Sequence, residues 1–139
     1  MRFLAGVILV LFSTVVSAEY GSVTVDKYHY AYDGDTFYVD ILAFPPLIGK
    51  DIPIRPRGFD TPEIRGKCEK EKFLAYEARD FIELLMAEGK EIRLVDIDRG
   101  NFFRLTADVL VDGESLAEIM ISKGLAKSYD DPTRREWCD

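Results

Sequence analysis

The sequence predicts an α+β domain that is mainly β, and three observations carry that prediction. The first half holds short runs of β-favouring residues broken by turn residues. One long stretch, residues 69–88, repeats apolar residues at helical spacing. The second half returns to two strand-like runs and then a short helical one. The chain has 139 residues, 47% of them hydrophobic, which suits one globular domain; two cysteines are too few for a disulfide-built miniprotein.

Each element follows from its residues. Residues 23–32 are rich in Val, Thr and Tyr, which favour a pleated surface. Asp33-Gly34-Asp35 marks a turn and residues 36–42 resume as a strand, so a hairpin is expected. Pro45-Pro46 and Gly49 break the chain, and residues 50–59 read as a third strand. Pro53 and Pro56 each lack a ladder donor, which places part of that strand at an edge or a bulge. In residues 69–88, Leu74, Ala78, Phe81, Ile82 and Leu85 make one apolar face, and Gly89 supplies the stop. Residues 91–98 alternate Ile92, Leu94 and Ile97 imperfectly with charged residues; residues 105–111 form another strand, ended by Asp112-Gly113. Ser115 with Glu118 reads as a capping box, opening a short helix that carries Leu116, Ile119 and Met120 and stops at Gly124. Three strands, helix, two strands, helix is the order of an OB-fold. That is a five-stranded, partly open barrel, here with a long helix between strands 3 and 4 and a short helix after strand 5.

The first 18 residues differ from the rest. Arg2 gives a positive start, residues 3–18 carry no charge, and Val16-Ser17-Ala18 offers small residues to a signal peptidase. Sixteen residues span about 24 Å as a helix, short of the roughly 30 Å hydrocarbon core, so a cleaved signal peptide is expected rather than a retained anchor. Cleavage after Ala18 leaves a single domain, residues 19–139, in a periplasm or outside the cell, with no stable membrane anchor. Export makes the even pair Cys68 and Cys138 read as a disulfide rather than a metal site or a nucleophile.

The net charge of −7 argues against a protein that coats nucleic acid through its overall field. It leaves room for a local patch: residues 50–72 carry seven Lys or Arg against five acids. His29 lies in Tyr28-His29-Tyr30 on a strand and reads as structural, and one His with two Cys is too little for a zinc site.

Three segments carry the chemistry. Asp33-Gly34-Asp35-Thr36 puts carboxylates at a turn, where they can bind a hard cation or simply shape the turn. Arg55 precedes Asp60-Thr61-Pro62-Glu63, where Pro62 fixes the backbone at a strand exit. Arg104 opens the last long strand, and its fork suits a phosphate. Alone, each fits an ordinary turn, a strand end or a solvated Arg.

Together, on this barrel pattern, they resemble the staphylococcal (micrococcal) nuclease family, and Asp60-Thr61-Pro62-Glu63-Ile64-Arg65-Gly66-Lys67-Cys68 with a closing Trp137-Cys138 resembles a bacterial exported branch of it. The resemblance runs from about Val23 to Tyr129 and includes Gly124-Leu125-Ala126-Lys127. It implies an exported, monomeric endonuclease that hydrolyses phosphodiester bonds of DNA and RNA with Ca²⁺. Asp35, Asp60 and the Thr61 carbonyl would bind the metal, and Glu63 would orient or deprotonate the attacking water. Arg55 and Arg104 would grip the scissile phosphate, and Tyr129 would stack on a base. Asn101-Phe102-Phe103 departs from the family's Lys-Tyr-Gly run before the second Arg, removing a hydroxyl and a charge that contact the nucleotide. The alternative is a non-catalytic OB-fold module that binds nucleic acid; a secreted Ca²⁺-binding structural protein fits less well, since two Arg oppose the cation.

Overall fold

The computed structural model describes residues 20–88 and 90–139. The signal-peptide segment, residues 1–18, and the helix stop at Gly89 lie outside the described residues. The run expected as one strand bends into two, β1 (Val23–Thr24) and β2 (Lys27–Asp33). The bend has a purpose in pairing. β1 pairs antiparallel with β6 (Ile92–Arg99), whereas β2 pairs antiparallel with β3 (Thr36–Asp40). At the bend, the Val25 amide donates to the Ile92 carbonyl and the Asp26 amide to the Asp40 carbonyl, so one run serves two neighbours.

A four-residue helical turn, α1 (Pro46–Gly49), fills what the sequence marks as a break; Pro46 opens it, where a missing N–H costs nothing. β4 (Ile52–Pro56) and the short β5 (Phe59–Asp60) then replace the single third strand expected over residues 50–59. The long helix α2 (Glu69–Ala87) follows, then β6, β7 (Leu105–Val111), the short β8 (Glu114–Ser115), α3 (Leu116–Ser122) and β9 (Lys127–Ser128). The main sheet runs β1-β6-β7-β4-β3-β2, with β8 on β7, and β5 pairs with β9 separately. Because β1 and β2 are consecutive in the chain, the two ends of that order meet, and the sheet curls round its core. This is a mainly β, OB-like fold with three helices.

Two expectations about strands change. β4 lies inside the sheet, between β3 and β7, despite its prolines. Staggered pairing explains how: β3 pairs with residues 52–54 and β7 with residues 54–56, so each proline has only one paired neighbour. The imperfect alternation in β6 is a bulge. Its register slips between Val95 and Asp98, and Asp96 takes a left-handed φ of 51°. One extra residue returns Ile97 to the inner face shared by Ile92 and Leu94.

Phe37, Val39, Ile54, Leu94, Leu116 and Met120 are fully buried at the centre. α2 covers β2 with Ala75, Ala78, Ile82 and Met86, while Leu74, Phe81 and Leu85, expected at the centre of that face, flank it half-buried. Small residues lead because the hairpin comes close. A Cβ on Gly34 would lie 2.7 Å from the Ala78 Cβ and 2.9 Å from the Thr61 Cγ2. The hairpin between β2 and β3 thus needs glycine for contact. The expected cap on α3 forms, with Ser115 accepting from the Glu118 amide at 3.3 Å.

Cys68 and Cys138 are joined as a disulfide, with their Cα atoms 5.8 Å apart. The C-terminal tail therefore lies against the start of α2, where Lys70 donates to the Asp139 carbonyl and Trp137 is buried. Lys127 sits 4.6 Å from the Trp137 ring centre and donates to the carbonyls of Thr133 and Glu136. Among the described residues no helix is long and apolar enough to cross a membrane.

Candidate active site

The cleft is built where three chain segments leave the sheet. β2 and β3 turn through Gly34-Asp35, with Asp33 opposite Thr36, and the turn aims Asp35 at β4. β4 alternates buried Ile52, Ile54 and Pro56 with half-buried Pro53 and Arg55, so Arg55 faces away from the core. β5 then carries Asp60 back beside it. Arg55 Nη2 lies 2.9 Å from Asp60 Oδ1 and 3.2 Å from Asp35 Oδ2. Its guanidinium also donates to the carbonyls of Pro56, at 2.7 Å, and Phe59, at 3.2 Å. One arginine thus ties the hairpin to the strand exit.

Beyond Asp60, Thr61 and Pro62 are buried and Glu63 is exposed. Asp33, Asp35, Arg55, Asp60, Thr61, Pro62 and Glu63 line a cleft of about 630 Å³, with Arg104 on its wall. The structure therefore brings together Asp35, Arg55, Asp60, Thr61, Glu63 and Arg104. Tyr129 lies outside the lining, with its ring centre 6.0 Å from the Arg55 Cζ. His29 is part of the β2–β3 pair instead, with Nε2 at 2.8 Å from Asp40 Oδ1, as a structural histidine should be.

The electrostatics of the cleft are uneven. Asp33, Asp35 and Asp60 crowd one end. Burial, then the charge of Asp35, push the Asp33 carboxyl up to about 7, although the Asp35 amide and Arg55 pull the other way. Arg55 offsets part of this negative charge, and Arg134 Nε meets the second oxygen of Asp60 at 3.1 Å. Around the mouth, Arg65, Lys67, Arg104 and Arg135 make no ion pair among the described residues. Elsewhere Arg57, Arg79 and Lys90 each meet a carboxylate, whereas Arg93, Arg99 and Lys123 make no ion pair among the described residues. The lining carries five bases and five acids, so the cleft is balanced in formal charge inside a chain of net charge −7, with its cations towards the mouth and three aspartates at one end.

Residues 53–137 match the family of staphylococcal nuclease homologues. The chain belongs to that family. Its segment of resemblance includes every cleft residue named above except Asp33 and Asp35, which precede it. A staphylococcal-like nuclease, CAN1, of Arabidopsis thaliana is 31% identical over 83 residues, which cover 60% of this chain and 24% of the plant protein. The chain thus matches about a quarter of that relative's length.

The run expected to depart from the family's pattern, residues 101–103, lies directly before Arg104. Arg104 donates from Nε to the Asn101 carbonyl at 3.3 Å, and its guanidinium lies 5.6 Å from the Phe102 ring centre. Phe102 and Phe103 hold left-handed φ of 57° and 60°. A bulky side chain is costly there, by about 1–2 kcal/mol per residue.

Three residues at or against the cleft carry no motif of their own: Glu71 and Arg135 line it, and Arg134 meets Asp60 from outside the lining. Arg134 and Arg135 sit in a polar tail whose only signal was the cysteine four and three residues on, and folding that tail onto α2 brings them in. Glu71 stands in the first turn of α2, where an exposed acid is favourable beside the helix N-terminus. It is buried instead, with 6% of its surface exposed.

Proposed function

We propose that the protein is an exported, Ca²⁺-dependent nuclease that hydrolyses phosphodiester bonds of DNA and RNA. The observation that carries this is the junction at Arg55. Two carboxylates meet on one guanidinium beside an exposed Glu63, with further cations around an open cleft. The donor set fits a hard cation, because Asp35, Asp60 and the Thr61 carbonyl offer oxygen alone and the acids crowd one end. Those three would hold Ca²⁺, which supplies neutralisation of a phosphate oxygen and of the charge that builds in attack.

The chain's own residues do the rest. Glu63, whose side chain makes no hydrogen bond among the described residues, orients a water in line with phosphorus and takes its proton. The water oxygen bonds to phosphorus, the bond to the leaving ester oxygen breaks, and that oxygen takes a proton from solvent. Arg55 and Arg104 bond to the non-bridging oxygens, most strongly as phosphorus gains its fifth substituent. For Arg55 this means exchanging a carboxylate or carbonyl partner for the phosphate. Tyr129, beside Arg55, stacks on a base. A module that only binds nucleic acid gains nothing from three carboxylates set against an anionic ligand.

Export rests on the charge and apolar pattern of residues 1–18 and agrees with a bonded cysteine pair. The processed chain is then a single-domain monomer in a periplasm or outside the cell. The test is hydrolysis of DNA and RNA by the oxidised chain. Ca²⁺ supports cleavage, a chelator stops it, and Glu63→Gln lowers kcat by about 10²-fold or more while the fold is kept. Full cleavage in excess chelator overturns the metal role, and a fully active Glu63→Gln overturns the role of Glu63.

A further inference from the structure

Glu71 stands at the back of the cleft, on the first turn of α2. An acid there is favourable when exposed, because it meets the helix N-terminus at little cost in hydration. Burying it is costly unless the carboxylate is well bonded. Glu71 has no cationic partner among the described residues. Its bonds go to the chain that carries Glu63. Oε2 accepts from the Lys67 amide at 2.8 Å, and Oε1 lies 3.4 Å from the Glu63 amide. Between them the chain closes on itself, the Gly66 amide donating to the Glu63 carbonyl at 2.8 Å.

The fit leaves no spare room. A Cβ on Gly66 would lie 2.6 Å from the Glu71 Cγ and Cδ. The disulfide completes the arrangement from behind. Cys68 Sγ accepts from the Glu71 amide at 3.4 Å as the helix cap, and Cys138 Sγ lies 3.7 Å from Glu71 Oε2. One buried carboxylate therefore spans both ends of residues 63–67, held between the first turn of α2 and the bridge to the tail.

We infer that Glu71 is a positioning residue for hydrolysis: it fixes the backbone of residues 63–67 and so sets where the Glu63 carboxylate stands. The inference rests on the nuclease reading above. It explains why an acid is buried where an apolar residue would cost less, and why glycine stands at 66. A group that places another acts on the chemical step. A misplacement of about 1 Å is worth about 10²-fold in rate, while capture of the polymer by the rim cations is left alone.

The experiment uses the full oxidised chain and its Glu71→Ala and Glu71→Gln variants, alone and combined with Glu63→Gln. Glu71→Ala should lower kcat by about 10–100-fold with KM within about threefold. Glu71→Gln, which keeps one acceptor and the shape, should lose less and folds if the alanine variant does not. On the Glu63→Gln background neither change should lower kcat further, because the group being positioned is already gone. Hydrogen exchange should quicken at residues 63–67 and stay unchanged in the main sheet. Equal losses of kcat with and without Glu63 mark Glu71 as structural and overturn the inference. So does a folded Glu71→Ala with normal kcat. If the wild-type chain leaves DNA and RNA intact, the nuclease reading falls by itself. Exchange then decides the anchor, and unchanged protection at residues 63–67 overturns it.

Discussion

Two segments bring acids to the cleft, and they are held in different ways. The hairpin at Gly34-Asp35 is held mainly by its neighbours in sequence, through a two-residue loop and the β2–β3 ladder, with one close seat on Ala78 of α2. The segment from Asp60 to Lys67 has little ladder of its own. It is held from far along the chain by Arg134 on Asp60 and by β9 pairing with β5, and from the next element by Glu71 on its backbone. Arg55 joins the two. Local order needs only the right turn residues, whereas order borrowed from a distance lasts only while the distant partners stay in place.

The sharpest way to break the comparison is at the joint. Arg55→Ala leaves Asp35 and Asp60 without their shared cation. Activity on DNA should fall by about 10³-fold, as when a preorganised donor is lost. Removing one partner of a buried pair costs about 3–5 kcal/mol, which solvent reduces to about 2 kcal/mol here. Kinetics and urea melts measure the two effects; an active Arg55→Ala would mean that the segments are independent.

The distant supports come next. The double variant Cys68→Ser, Cys138→Ser should lose about 2–4 kcal/mol in a urea melt. Limited proteolysis should then cut first in the tail and in residues 61–67, with the hairpin intact. Equal susceptibility of the hairpin would erase the distinction drawn above.

The seat of the hairpin on α2 is tested by Gly34→Ala. Its φ is not in the left-handed region, so the cost is contact with Ala78 and Thr61, about 1–3 kcal/mol as overpacking. Thermal melts should show the loss, and an Ala78→Gly change should recover part of it. A neutral Gly34→Ala would mean that the hairpin can lift from α2 freely.

The smallest effect lies at the far end of the same hairpin. The Asp51 amide, then the hydrogen bond from His29, hold the Asp40 carboxyl below the usual carboxylate range. A lowered folded pKa gives stability that is present above the unfolded value and lost as pH falls through the folded one. Asp40→Asn should therefore lower Tm slightly at pH 7, and the gap from wild type should close below about pH 4. A gap that persists in acid would assign the loss to shape rather than charge.

The same division explains what the sequence disclosed. Residues 105–111, the Ser115 cap, the hairpin and most of α2 depend on neighbours in sequence, and the strand and helix patterns showed them. The interior place of β4 was hidden, because its prolines are tolerated only through a stagger set by β3 and β7. β1 and β2 merged into one run for a similar reason, since only their different partners separate them. Asp35, Arg55, Asp60, Glu63 and Arg104 could be named as candidates because their three segments together resemble one family, and the fold brings them to one cleft. Glu71 and Arg134 were not, because their work is done for residues 8 and 74 positions away.

The turn before Arg104 has a consequence for engineering. Phe102 and Phe103 stand consecutively in a backbone that suits glycine or asparagine, and Phe102 is 88% exposed. Phe102 returns little of its apolar surface to the fold in exchange, and Phe103 only about half. A library screened for heat resistance alone should discard both aromatics early, and a library screened for capture of nucleic acid should keep whichever ring a base lies on. The two selections, run side by side on this one turn, would separate what the protein needs in order to last from what it needs in order to work.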